Sequence, residues 1–211
     1  GAGNWLELGY DDYGDIKVVT DTLGITTTYI YDGIGRIMGR TDAQSNTIGF
    51  DYDAGGAVTT ITDSQQLTIT YTYNSEGRVR TRTDRLGHTT VYTYDTRGLL
   101  AVEQDPLDNL THYGYDARGD LTQVVNGRGF TTTYEYDGQR RLERVIDAEG
   151  GVTRYLYDAA GRQIGVVNGR GYTTTYEYDD AGRRVATVDP LGHRTENEYD
   201  EMARVIEQTD P

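Results

Sequence analysis

Short runs that alternate polar with hydrophobic or aromatic residues recur along the whole chain, separated by turn residues. One such run reads "RVRTRT" (Arg78–Thr83) and the next reads "HTTVYTY" (His88–Tyr94). Both contain Val and Thr, and the second also contains two Tyr; all three residue types favour strands. Asp-x-x-Gly, a favoured type I turn sequence, lies at each end. The pattern predicts a β-hairpin, and no segment between glycines shows the 3.6-residue period of a helix.

The hairpin unit is 21 residues long and is written ten times without an insertion. Each copy contains a tyrosine followed by Asp, or by Asn in one copy, and we call this residue the anchor tyrosine. The ten anchors are Tyr10, Tyr31, Tyr52, Tyr73, Tyr94, Tyr115, Tyr136, Tyr157, Tyr178 and Tyr199. Ten anchors in strict register identify a tandem repeat.

Other residue types hold fixed positions relative to the anchor. Asp follows the anchor at once, Gly comes four residues after it in most copies, and Arg often comes fifth. The predicted structural anchors of these columns are Asp32, Asp95, Asp137, Asp158, Asp179, Gly35, Gly77, Gly161, Gly182, Arg36, Arg78, Arg162 and Arg183. Gly accepts the positive φ that such a turn requires, and the Asp side chain can cap the turn amides.

Ten hairpins in series predict an all-β fold, a long antiparallel meander of about twenty strands. A sheet this wide rarely stays open and flat, so we expect it to coil into a spiral strip, a shell or a barrel. Gly1 and Pro211 fall at the same repeat position, inside a turn. We therefore interpret residues 1–211 as a single array of ten repeats, a segment of a longer repeat protein.

Composition narrows the range of functions. Tyrosine occurs 19 times, the hydrophobic fraction is only 36%, and the formal charge is −14. Such a charge disfavours nucleic acid and anionic membranes as partners, and no apolar stretch is long enough for membrane insertion. The chain has no cysteine, so disulfides cannot stabilise it.

Alternation places the anchor and the aromatic residue two positions before it on one face of the sheet. We interpret these tyrosine columns as cross-strand ring packing, with a contact surface for cargo as the alternative. The repeated arginines are expected to pair with carboxylates or to stack on neighbouring tyrosines, rather than to bind a ligand. Calcium is a minor alternative, because the dense glycine–aspartate pattern of calcium-binding arrays is absent.

No catalytic, cofactor-binding or metal-binding residue is predicted. His88, His112 and His193 lack partners at metal-ligand spacing, and the serines in turns form no nucleophile motif. The sequence "NGRG", at Asn126 and again at Asn168, is interpreted as a turn and not as a phosphate loop. The chain is therefore not expected to be an enzyme.

The combined pattern resembles the YD repeats, also called Rhs repeats. Good matches are "YDGIGRI" with "TDAQSNTIGFDYD", "YNSEGRV" with "TDRLGHTTVYTYD", and "YDAAGRQ" with "NGRGYTTTYEYD". Similar repeats occur in bacterial Rhs polymorphic toxins, wall-associated proteins, insecticidal toxin complex C components and teneurins. The resemblance covers essentially the whole chain, but no shell-closing motif, autoproteolytic aspartate site or toxin domain is recognisable.

The resemblance implies a wall segment of a hollow β-shell that encloses or presents a cargo such as a toxin. It also implies a secreted or cell-surface protein, with a bacterial source expected first. Further YD repeats would be the partners that pair with the first and last strands of the sheet. An extended filament or adhesin built by self-assembly is the alternative, because the register contains no insertion. A carbohydrate-binding module is a weaker alternative, since the aromatic residues are tyrosine and not tryptophan.

Overall fold

A computed structural model describes residues 5–210, and all of its regular elements are β-strands. The strands are β1 Leu6–Tyr10, β2 Ile16–Asp21, β3 Thr26–Tyr31, β4 Ile37–Thr41, β5 Thr47–Tyr52, β6 Val58–Asp63, β7 Thr68–Tyr73, β8 Val79–Thr83, β9 Thr89–Tyr94, β10 Leu100–Gln104, β11 Leu110–Tyr115, β12 Leu121–Val125, β13 Thr131–Tyr136, β14 Leu142–Ile146, β15 Val152–Tyr157, β16 Gln163–Val167, β17 Thr173–Tyr178, β18 Arg184–Val188, β19 Arg194–Tyr199 and β20 Val205–Thr209. The predicted all-β class and the hairpin repeat are confirmed.

The chain forms two compact units, residues Gly1–Asn109 and Leu110–Pro211. In the first unit, β1 to β10 pair antiparallel in sequence order. In the second unit, β11 to β20 pair in the same way. Each unit is therefore a ten-stranded meander, as the repeat predicts.

Two kinds of turn alternate along each meander. We call the turn after an anchor tyrosine turn A and the turn ten residues later turn B; Asp32–Arg36 is an example of A and Asp84–His88 of B. In both turns, the N–H of the first residue donates to the carbonyl of the fifth, and the carbonyl of the first accepts from the N–H of the fourth. In the example of turn A, Asp32 makes these bonds to Arg36 at 2.9 Å and to Gly35 at 3.1 Å. The fourth residue has positive φ, which is 82° at Gly35. This is a type I turn followed by a left-handed residue.

The fifth turn residue explains a small error in the predicted strand bounds. The sequence runs begin at Arg78 and His88, whereas β8 begins at Val79 and β9 at Thr89. Arg78 and His88 belong to the turns instead, because their carbonyls close the turn hydrogen bonds.

Every pair of strands that turn A connects contains a β-bulge at the same position, directly after the turn. Tyr136 lies opposite Leu142, but Glu135 lies opposite Arg144, so Glu143 is an extra residue in the second strand. A bulge interrupts the ladder locally and increases the strand twist. The same register shift follows the anchors Tyr157, Tyr178 and Tyr199.

Neither unit contains a conventional core. Among residues 5–210, the one buried hydrophobic residue is Ala186, with 0% exposure, and no large side chain is fully buried. Most strand residues are half-buried instead. Stability must therefore come from contacts between neighbouring hairpins, as in other repeat proteins.

Candidate functional site

The tyrosine face of each sheet is the candidate functional surface, and we define it by the anchor tyrosines and the residues two positions before them. In β7, Tyr71 and Tyr73 are half-buried while Thr72, which points to the other face, is exposed. In the second unit, Tyr134 lies opposite Val145 and Tyr155 opposite Val166. Elsewhere the cross-strand partner is polar, as where Tyr71 lies opposite Arg82. The face thus combines tyrosine rings with aliphatic and polar cross-strand partners.

Eight of the anchor tyrosines also form a hydrogen bond that the sequence did not reveal. The hydroxyl donates to the carbonyl 15 residues earlier, as Tyr136 does to Leu121 at 2.9 Å. The same bond is made by Tyr31, Tyr52, Tyr73, Tyr94, Tyr157, Tyr178 and Tyr199, with distances of 2.6–2.9 Å. The acceptor is always the residue at the start of the bulge in the preceding repeat. The phenol satisfies a carbonyl where the bulge disrupts the ladder, and we call this contact the tyrosine–bulge bond.

Partial burial changes the acidity of several of these phenols. Desolvation raises the pKa of Tyr73, Tyr136 and Tyr157 above the usual value for tyrosine. Nearby carboxylates add to the effect, notably Asp120 beside Tyr136. The hydroxyls therefore remain protonated donors throughout the physiological range.

The turn aspartates act as acceptors for the turn backbone. In turn A of the seventh repeat, Asp137 Oδ1 accepts from the N–H groups of Gln139 and Arg141, at 2.8 and 2.9 Å. These bonds, together with the Arg141 side chain, lower the pKa of Asp137. The same arrangement lowers the pKa at Asp32, Asp158, Asp179 and Asp200. At Asp95 the pKa is lowered by the backbone of Leu99 and by the side chain of Arg97, which is the third turn residue. Charged carboxylates thus stabilise these A turns.

The arginine five residues after the anchor joins two neighbouring repeats. Arg162 Nε donates to Asp158 Oδ2 at 2.7 Å within its own turn. Its Nη1 donates to the carbonyl of Asp179, in turn A of the next repeat, at 3.4 Å. Its guanidinium carbon lies 5.1 Å from the ring centre of Tyr178. Arg36, Arg141 and Arg183 make the same three contacts. The arrangement combines a salt bridge with ring stacking.

The predicted anchors differ in how completely they join this arrangement. Arg78 stacks on Tyr94 at 5.8 Å but follows Asn74 and pairs with Glu76. Gly77, Gly161 and Gly182 have positive φ, as at Gly35. All four predicted arginines, Arg36, Arg78, Arg162 and Arg183, lie over the anchor tyrosine of the next repeat.

Two neighbouring repeats use a different pair of residues. Asp120 stands at the position where six repeats have arginine, and in the next repeat Arg140 stands at the left-handed position that is usually glycine, with φ of 65°. Arg140 forms a bidentate ion pair with Asp120, which lowers the pKa of that carboxyl. Contact between successive turns is thus kept with the charges exchanged.

The opposite face of the sheet is polar, and in the second unit a network of long charged side chains covers one small residue, Ala186. Glu177 lies opposite Ala186, and Ala186 lies opposite Glu196. Arg194 crosses this position to reach Glu177 at 2.5 and 2.8 Å, and it also bonds to Glu196. The small side chain at 186 leaves room for this network, which explains why Ala186 is fully covered.

The histidines, which are the residues most suited to catalysis or metal binding, do not lie on the tyrosine face. The His88 and His193 rings each lie beside the first aspartate of their own turn B, at 3.2 and 2.9 Å. Within residues 5–210, no group of three or more His, Cys, Asp or Glu residues could hold a metal ion. In the same region, no helix is long and apolar enough to cross a membrane.

Comparison with known protein families places these features in context. Residues 5–159 match the Teneurin YD-shell model, and residues 157–195 match the RHS Repeat model. The chain belongs to the teneurin YD-shell family. Its hairpins, turns and tyrosine columns are thus structural YD repeats, as the sequence resemblance indicated. No curated protein matches the chain.

Solved structures support the same fold. The chain is similar over 98% of its length to the crystal structure of TcdB2-TccC3-TEV, with 15% identity and a TM-score of 0.69. It is also similar over 99% of its length to the Photorhabdus luminescens Tc holotoxin pore, with 14% identity and a TM-score of 0.70. In each case it spans 15% of the larger chain. These YD-shell repeats therefore share an architecture with part of a much longer polypeptide.

Proposed function

We propose that this YD-shell segment forms part of the wall of a hollow β-shell that encloses or presents a cargo, such as a toxin, in a secreted or cell-surface protein. The observation that carries the proposal is a sheet with a tyrosine face but no packed core in either unit. With only Ala186 buried among residues 5–210, the fold buries little apolar surface by itself. A wall one sheet thick is suited to surrounding a volume rather than to filling one.

The predicted anchors would then act as joints of the wall. The tyrosine–bulge bond and the arginine contacts each link one repeat to its neighbour, so we assign them the task of fixing the angle between hairpins. We also propose that the strip coils, because bulges raise the twist of each hairpin. The carboxylates at the turns would keep the strip edges solvated.

Further YD repeats are the proposed partners at the sheet ends. Strand β20 is exposed along its whole length, and its hydrophobic residues Val205 and Ile206 are 54% and 63% exposed. An exposed hydrophobic edge strand invites pairing with another strand. We propose that a single array continues through such pairing in the longer protein.

A filament or adhesin remains the second candidate function, and the regularity of the turns favours it. Nineteen successive turns share the same pair of backbone hydrogen bonds, which suits uniform propagation. Negative-stain imaging of the intact parent protein separates the two candidates. Closed hollow particles with internal density would support the shell, whereas long uniform fibres would overturn it in favour of the filament.

A further inference from the structure

The two copies of "NGRG" occupy turn B at the exposed edge of the second unit. Asn126 and Asn168 stand where the other eight copies have aspartate. Both asparagines and the glycines that follow them are exposed. The YD-shell role of this turn needs only the acceptor oxygen, which Asp and Asn both supply, so the presence of Asn-Gly calls for a separate explanation.

The turn holds each asparagine side chain with two backbone N–H groups donating to its Oδ1, which polarises the side-chain amide carbon. Asn126 Oδ1 accepts from the N–H groups of Arg128 and Phe130, at 3.0 and 3.1 Å. Asn168 Oδ1 accepts in the same way from Arg170 and Tyr172, at 3.0 and 3.1 Å. Two backbone donors aimed at one carbonyl oxygen are the arrangement that stabilises the oxyanion of a tetrahedral intermediate.

The nucleophile for such an attack is the next backbone nitrogen. The ring closed by the Asn126 Oδ1 bond to the Arg128 N–H encloses the Gly127 amide. Within residues 5–210, the Gly127 N–H donates no hydrogen bond, since the turn bonds use the first, third, fourth and fifth residues. Glycine also has no side chain to obstruct the approach.

We propose that Asn126–Gly127 and Asn168–Gly169 are sites of spontaneous deamidation in the native protein, promoted by the turn. The Gly127 nitrogen loses its proton and bonds to the Asn126 side-chain carbon. The bond from that carbon to Nδ2 breaks, and ammonia leaves with the proton. Water then opens the resulting succinimide at one of its two carbonyls, giving aspartate or isoaspartate.

The two products have different consequences for the sheet edge. Aspartate restores the residue found in the other eight copies and retains both acceptor bonds, with one additional negative charge at each site. Isoaspartate inserts an extra carbon into the main chain. That insertion would break the turn bond from the Gly129 N–H to the Asn126 carbonyl, which is 2.8 Å long.

The chain contains a matched internal control. Asn74 lies in turn A and accepts from the N–H groups of Glu76 and Arg78, both at 3.0 Å. It has the same oxyanion donors but is followed by Ser75 instead of glycine. The proposal therefore predicts slow conversion at Asn74 and fast conversion at the two Asn-Gly sites.

The test follows deamidation by peptide mapping with mass spectrometry during incubation of the intact folded chain in mildly alkaline buffer. We expect Asn126 and Asn168 to convert at least roughly tenfold faster than Asn74, and no more slowly than in urea-unfolded protein. Gly127→Ser should slow conversion at Asn126 by a similar factor and leave Asn168 unchanged. Ser75→Gly should make Asn74 reactive.

Several results would overturn the proposal. One is conversion of the native Asn-Gly sites at the rate of Asn74, and another is conversion only after unfolding. A third is an unchanged rate at Asn126 in Gly127→Ser. If that variant did not fold, Ser75→Gly would still decide the matter in turn A of the fourth repeat. None of these outcomes depends on whether the shell encloses a cargo.

Discussion

Removal of one anchor hydroxyl tests whether the tyrosine–bulge bond holds neighbouring repeats together. In Tyr136→Phe the ring and its packing remain, but the 2.9 Å bond to the Leu121 carbonyl is lost. A neutral intramolecular hydrogen bond contributes about 1 kcal/mol to stability, and a carbonyl left unpaired can cost somewhat more. Since both groups are only part-buried, water can partly satisfy the carbonyl, and we expect a loss of about 1 kcal/mol.

The matched control is Tyr134→Phe, two residues earlier on the same face. Within residues 5–210 the Tyr134 hydroxyl makes no hydrogen bond, and its ring packs opposite Val145. A different repeat has Phe50 at this position, whereas all ten anchors are tyrosine. Tyr134→Phe should therefore change the free energy of unfolding by less than about 0.5 kcal/mol.

Thermal unfolding and native-state hydrogen exchange measure the difference. For a chain of this length, 1 kcal/mol corresponds to about 2–4 °C in the melting temperature. Because stability in a repeat array is local, faster exchange should be concentrated in β12 to β14. Equal effects of the two substitutions, or no effect of Tyr136→Phe, would refute the assignment of the hydroxyl as the joint between repeats.

Other parts of the repeat give three further predictions. Gln66→Gly should stabilise the chain by about 0.5–1 kcal/mol in thermal melts, because Gln66 has φ of 62°; Gln65→Gly, in the same turn, should not stabilise it. The melting temperature should fall as the pH decreases below about 4. The pKa of the turn aspartates is lowered in the folded state, so their contribution to stability is present above the unfolded pKa and is lost as they become protonated. Asp137→Asn should make this pH dependence less steep, and an unchanged slope would contradict the role of the carboxylate. Arg162→Lys should cost about 1 kcal/mol, because lysine cannot replace both the stacking and the forked hydrogen bonds, whereas Arg170→Lys at an exposed turn should be neutral in the same melts.

Much of the repeat could be predicted from local chemistry. Asp and Gly at the first and fourth turn positions specify the turn type, since the carboxylate caps nearby amides and glycine accepts the left-handed conformation. Strands follow between turns from their Val, Thr and Tyr content. The class, the meander and the family were therefore accessible from the order of residues within 21 positions.

The candidate surface was only partly predictable. Two-residue alternation placed Tyr134 and Tyr136 on one face, but it could not distinguish a hydroxyl that bonds from one that does not. That difference depends on the bulge at Thr122 in the preceding repeat, and on its equivalents elsewhere, which no residue type marks. The exchange of charge between Asp120 and Arg140 was also hidden, because the two residues are 20 positions apart in the chain and meet only when successive turns stack.

The hairpin, the alternation of its two faces and the residues of its turns follow from the order of amino acids alone, because these features depend on interactions within a few residues. Which groups join one hairpin to the next depends instead on the tertiary structure. Register shifts at each bulge bring the anchor hydroxyl to a carbonyl 15 residues earlier and place each arginine over the following tyrosine. Such contacts depend on the twist and offset between whole strands, which are set by the packing of neighbouring repeats and not by any single turn or strand.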